Sequence, residues 1–422
     1  MTRFSPNVIY WIKTLSKFIS VQLIVQALGA ASGIFLVRTL DQTQYAYYTI
    51  ALTMQTTMSL LADMGISVGL SAIGGKVWQD KYRFGQLINT AMQLRYSLAG
   101  ISVIVVTPIL IWMLIKNGAS ISYGILILIV VLVGLNFQLT ADILGVVPRL
   151  HSQIRRVQNL DLFSAVIRLV LLGVAYLTFL DAAVAIGIVS IGLGVQRFIL
   201  GRWVTDSIET KALINIEDRK FISAKVKALA PNAIFFCIQG QLSIWLISLF
   251  GTTENIAEIG ALGRLGILFT IINPIMNTIV SPSFARCQSK GILRRRYFQI
   301  ISLFFLFLAA IGILAVLFHR NILGLLGNQY ADLKTEFFLL LISASLNSII
   351  QIIAYLNATK AWVQYAWVEI IIRICLQIIL LLVIDISTVK GILLFGLFSQ
   401  LSPLTVSILR SYLGFKNYEY ST

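Results

Sequence analysis

The chain has 422 residues, 58% of them hydrophobic and 12% charged, with a net charge of +16. That balance excludes an ordinary soluble domain and points to a polytopic helical membrane protein. The excess charge invites a nucleic-acid partner, and its placement along the chain argues against one.

A membrane span needs about 20 apolar residues, because the hydrocarbon core is about 30 Å thick. Twelve segments meet that test: 18–37, 46–73, 94–115, 121–146, 162–180, 182–204, 229–250, 257–282, 298–318, 337–357, 364–384 and 391–412. In lipid the backbone must satisfy its own hydrogen bonds, so these segments are expected as helices. The runs are continuous rather than alternating, which argues against a barrel. The expected fold class is all-α.

Residues 1–17 form a basic lead with Arg3, Lys13 and Lys17, read as part of a retained helix rather than a cleaved signal. The first span carries Gly29-Ala30-Ala31-Ser32-Gly33, small residues that let a second backbone approach. It ends at Arg38, and a polar turn, Asp41 to Gln44, follows. The second span holds a lone acid, Asp63, beside Gly65, and is expected to stop at Gly74-Gly75. Residues 76–95 are basic and extend the third helix, which Pro108 allows to bend. The fourth span carries Asn136, Gln138, Thr140 and Asp142, a polar density that must face protein or water. The mixed-charge segment 205–227 separates six spans from six, with a boundary near 215 and halves of 1–215 and 216–422. The second half repeats the order of the first, as in transporters with two lobes about a central cavity.

With the N-terminus in the cytoplasm, 24 of the 33 Lys and Arg residues fall inside and five outside. The other four, Arg168, Arg197, Arg264 and Arg373, lie deeper within spans, and Arg197, toward the cytoplasmic end, is read as topology. This positive-inside pattern places both termini in the cytoplasm and accounts for the charge without nucleic acid. The three cysteines, Cys237, Cys287 and Cys375, lie in or beside spans and form no disulfide framework or zinc site.

Arg38-Thr39-Leu40, four residues and then Tyr45 resembles the Arg-x-Leu-(x)4-Tyr-Gly signature of bacterial polysaccharide flippases, the Wzx-type oligosaccharide transporters. Asp63-Met64-Gly65-Ile66 is similar to the Asp-x-Gly-Leu pattern of their second helix. Gly327-Asn328-Gln329-Tyr330 resembles their Gly-x-x-Tyr turn in the second half. One departure is Ala46, where the family usually has Gly. The resemblance implies a relative of the MATE-like multidrug and polysaccharide exporters. The implied protein has a cationic central cavity, sits in the bacterial inner membrane and needs no cofactor. Its implied cargo is an undecaprenyl-diphosphate-linked oligosaccharide, with membrane lipids and a polysaccharide polymerase as further partners.

Ionisable residues inside spans are the candidates for a site, since each costs at least about 2.5–3.5 kcal/mol to insert. Arg264 lies beside the glycines of the eighth span and could receive a phosphate, pair with Glu254 or Glu258, or snorkel. Glu369 and Arg373 stand four apart on the eleventh span, the spacing of a same-helix ion pair or of a pair that cargo or a proton could open. Asp63, Asp142, Arg168 and Arg38 complete the set. A proton or sodium gradient acting on Asp142 or Glu369 is the driving force considered. Enzyme signatures are missing: neither His151 nor His319 has an acid four or five residues on, and no external loop carries paired acids. No Walker A sequence exists. The expectation is a transporter rather than an enzyme. A cation-coupled small-molecule exporter and a membrane-embedded polymerase or acyltransferase stand as the alternatives.

Overall fold

The computed structural model describes residues 6–151, 153–266, 269, 272–276, 280–285, 287, 289–360, 362 and 366–417, with side chains described from 21 onward. The chain falls into two compact units, Met1–Ser248 and Leu249–Thr422.

The first unit holds α1 (Pro6–Thr39), α2 (Gln42–Asp63), α3 (Ile66–Val77), α4 (Lys81–Lys116) and α5 (Ile121–Leu144). It continues with α6 (Val146–Leu150), α7 (Ile154–Thr178), α8 (Ala182–Val204) and α9 (Ile216–Phe250), whose last two residues fall in the second unit. Short polar side chains start several of these helices. Asp41, Asp80, Ser120 and Asp181 each accept a backbone N–H of the first turn. Within the unit, α5 packs on α8, α2 on α4, and α1 on α7.

The second span does not run straight to Gly74-Gly75 as expected. It breaks after Asp63, where Met64 and Gly65 take φ of 36° and 99°, and α2 and α3 meet at 50°. Only glycine tolerates the second of these angles without strain. A Cβ on Gly65 would also stand 2.8 Å from Leu229 Cδ1 of α9. Conversely, α4 is continuous through Pro108. The close approach expected at the first span is not made at Gly29, which has no atom within 4 Å of its Cβ position; Ser32 and Gly33 are the buried pair.

The connection before α9 is docked rather than free. Ile208, Ala212 and Ile222 are buried, and Ile208 and Ile222 join a core with Ile66, Phe84 and Leu87. Asn89 of α4 donates to the Thr210 and Ala212 carbonyls, and Thr90 Oγ1 accepts from Asn215 N. Arg83 pairs bidentately with Asp218. These contacts explain why almost all of α9 belongs to the first unit.

The second unit holds α10 (Thr253–Leu265), α11 (Ile272–Ile275), α12 (Ser281–Ala285), α13 (Lys290–Leu317) and α14 (His319–Leu326). It ends with α15 (Lys334–Thr359), α16 (Ala366–Val383), α17 (Val389–Ser399) and α18 (Leu401–Asn417). Its interior includes a buried polar chain in which Tyr297 and Ser411 share a bond, Ser411 donates to Asn357, and Asn357 donates to the Ser407 carbonyl. Among the described residues, nine helices are long and apolar enough to cross a membrane, or ten with the bent α2–α3 pair. The expected spans 257–282 and 364–384 lie partly outside the described residues. The chain is an all-α, multi-pass membrane protein.

Candidate functional site

The polar residues of α5 each meet a partner on another helix of the first unit. Asn136 accepts from Arg197 of α8 at 2.7 Å, and Gln138 accepts from Gln55 of α2 at 3.2 Å. Thr140 shares a 2.7 Å bond with Tyr96 of α4, and Asp142 pairs with Arg95 of α4 at 2.7 Å. Polar groups in lipid recover part of their insertion cost only by such pairing. The density seen in the sequence is therefore a set of interhelical ties.

Arg95 is the residue that sequence reasoning missed. It was counted with the cytoplasmic cations, yet its side chain is 4% exposed. Its two terminal nitrogens reach Asp142, and Asp63 at 3.6 Å, while its Nε has no hydrogen-bond partner among the described residues. Two acids around one guanidinium leave a formal charge of −1. The signal was available. Asp63, Arg95 and Asp142 lie in the cytoplasmic halves of three successive predicted spans. Asp63 also holds the α2–α3 break, accepting from Gly65 N, Ser67 N and the Ser67 hydroxyl.

In the second unit, Glu369 makes its salt bridge across to another helix rather than with Arg373 one turn on. Its Oε2 is 3.1 Å from Arg410 of α18, with the two side chains 11% and 13% exposed. Arg410 was likewise counted as a cytoplasmic charge. Arg373 is half-buried on α16, and among the described residues its Nε has no hydrogen-bond partner. Arg264 is half-buried in the last turn of α10. Arg168 is half-buried on α7, and Arg38 is exposed in the last turn of α1. The candidates thus divide: Arg38, Asp63, Asp142 and Arg168 belong to the first unit, and Arg264, Glu369 and Arg373 to the second. Within the first unit, Asp63 and Asp142 are brought together about Arg95.

The residues that carry the family resemblance occupy structurally demanding places. Tyr45 and Tyr330 are both fully buried, and Gly327 has φ of 117°. His151 Nδ1 lies 2.9 Å from the Val147 carbonyl and His319 Nδ1 2.8 Å from that of Val316. Among the described residues no cluster of His, Cys, Asp and Glu could hold a metal.

No family model matches the sequence, and no curated protein is similar to it. Solved structures are. An inward-facing multidrug resistance MATE family transporter of the MOP superfamily is 14% identical, with a TM-score of 0.72 over 94% of this chain and 96% of that one. An outward-facing structure of the same description, 14% identical, gives 0.67 over 97% and 96%. A MOP superfamily transporter from Pyrococcus furiosus, described as having a binding pocket of reverse polarity that suggests a different function, gives 0.62 at 13% identity over 97% and 96%. The chain has the fold of these transporters.

Proposed function

We propose that this chain is a membrane transporter working by alternating access. Its cargo on this reading is an undecaprenyl-diphosphate-linked oligosaccharide, moved from the cytoplasmic to the external leaflet of the bacterial inner membrane. The observation that carries the reading is how the charges within the spans are paired. Three acids of the spans are already engaged, Asp63 and Asp142 by Arg95, and Glu369 by Arg410. Glu369 is bonded to Arg410 and acts on Arg373 only at longer range, and among the described residues Arg373 forms no salt bridge. Arginine forks match phosphate oxygens, and such charge-assisted bonds are strong where water is scarce. Arg373 and Arg264 are the residues assigned to the diphosphate, with Arg168 and Arg38 as further cations toward the headgroup.

A cation-coupled exporter of small molecules is the second reading, favoured by the multidrug transporters that share the fold. The fold does not set cargo charge, since one transporter that has it is described with a pocket of reverse polarity. A proton or sodium ion would act at Asp142 or Glu369 by competing with the paired arginine. A polysaccharide polymerase would receive the exported unit.

The test is reconstitution of the purified chain in liposomes with a short lipid-diphosphate-linked glycan, read by a membrane-impermeant enzyme. The expected result is protein-dependent exposure of the glycan. Arg373→Ala and Arg264→Ala should each slow it about tenfold, the value of a charge-assisted hydrogen bond of about 1.5 kcal/mol. Movement of an organic cation without glycan exposure would replace this reading with the second. Elongation or acylation of the glycan would make the chain an enzyme. An unchanged rate after collapse of both ion gradients would remove the coupling role of Asp142 and Glu369.

A further inference from the structure

A groove of about 1040 Å³ runs along one face of α8, walled by residues of α5 and α7. Its walls are apolar and open: Ile191, Phe163 and Phe198 are 49%, 51% and 60% exposed. Gly201 has no atom within 4 Å of its Cβ position, so the floor is clear there. The polar lining, Arg197, Arg202 and Thr205, runs from the middle of the groove to one end. Both guanidiniums lie over rings of the groove, Arg202 at 4.3 Å from the Phe198 centroid and Arg197 at 5.6 Å from that of Phe137. A guanidinium has five N–H donors, and Asn136 accepts from one of those on Arg197.

Two features indicate what lies in the groove. The first is its length. From Ile191 to Thr205 the helix rises about 21 Å at 1.5 Å per residue. One leaflet with its headgroup zone is about 20–22 Å thick, half of a bilayer. The second is charge. Arg202 stands in the last turn of α8, where topology and the helix dipole alone favour a cation. Arg197 stands five residues further in, beyond the last turn that the helix dipole favours. Cations at the rim and just below it, followed by an apolar trough that ends at mid-bilayer, complement a phosphate joined to an acyl chain.

We propose that this groove binds one anionic phospholipid of the cytoplasmic leaflet. One acyl chain lies along Phe163, Val195 and Ile191, and the phosphate meets Arg202 and Arg197. This site is separate from the cargo site. A polyprenyl tail is longer than one leaflet and would overrun the groove at Ile191.

The experiment is native mass spectrometry of the full chain released from phosphatidylcholine nanodiscs with and without phosphatidylglycerol. One phosphatidylglycerol should be retained in preference to phosphatidylcholine. Arg202→Ala and Arg197→Ala should each lower that preference about fivefold, the effect of one interfacial cation. Arg202→Lys should restore part of it. Gly201→Leu keeps both charges and fills the floor, so it should also release the lipid; it serves if an arginine variant fails to fold. Equal retention of the two lipids, or retention unchanged in Gly201→Leu and the arginine variants, would mean ordinary boundary lipid and overturn the site. Displacement of phosphatidylglycerol by a polyprenyl diphosphate would assign the groove to cargo and overturn it equally.

Discussion

Arg95 shows how much one side chain can carry at membrane depth. Its guanidinium is nearly inaccessible and compensates two acids that would otherwise repel each other. Removing one partner of a buried pair costs about 3–5 kcal/mol, because the remaining charge stays desolvated. The Asp142 side chain is 46% exposed and can recover water, so Arg95→Ala should cost about 3 kcal/mol, the low end of that range. The check is thermal unfolding of the detergent-solubilised chain. Asp142→Asn in the Arg95→Ala background should restore part of the loss, and strictly additive effects would show that the two residues are not coupled. Glu369 and Arg410 follow the same logic in the second unit.

At the scale of elements, the break between α2 and α3 and the dock of the connection onto α4 set the shape of the first unit. Gly65 is needed twice, for its φ of 99° and for the approach of Leu229. Gly65→Ala should therefore destabilise by about 1–3 kcal/mol, with most of the effect at the bend, as amide hydrogen exchange of 60–70 would report. The Arg83–Asp218 pair has a built-in asymmetry, since the Asp218 side chain is 4% exposed and that of Arg83 is 28% exposed. Arg83→Ala leaves a carboxylate in the core, whereas Asp218→Ala leaves a guanidinium that can turn to water. Limited trypsin digestion should cut at Lys211 faster in Arg83→Ala than in Asp218→Ala, and faster in both than in the parent. Equal rates in all three would show that the pair does not hold the connection.

For the whole molecule, the charge pattern makes a topological prediction. Alkaline phosphatase fused after Gly118 should be active, because the charge pattern assigns the loop between α4 and α5 to the outside. A fluorescent protein fused after Asn417 should fold and fluoresce in the cytoplasm. The opposite result at either point would invert the orientation and with it the direction of the proposed transport. The two units do not divide where the polar segment near 215 suggested a boundary, because Arg83, Asn89, Thr90 and the buried Ile208 and Ile222 hold that segment to the first unit.

Much of the architecture was legible from composition alone. Continuous apolar runs of about 20 residues admit only helices in lipid, so the all-α, multi-pass class followed without any knowledge of contacts. The motif resemblance implied a relative of the MATE-like exporters, and the fold is that of solved MATE transporters. The polar face of α5 was legible too, because such residues cannot be left toward lipid. Their partners were not. Asp63, Arg95 and Asp142 are 32 and 47 residues apart along the chain. Local spacing identifies only neighbours on one helix, which made Glu369 and Arg373 look like a pair and hid Arg410. The break at Met64 and Gly65 was equally hidden, since an apolar run reads alike whether straight or bent. The sequence by itself determined the all-α, multi-pass class, through the cost of unsatisfied backbone and exposed charge. Only the tertiary structure decided which charges neutralise which, because electrostatic pairing depends on distance in space and burial, not on separation along the chain.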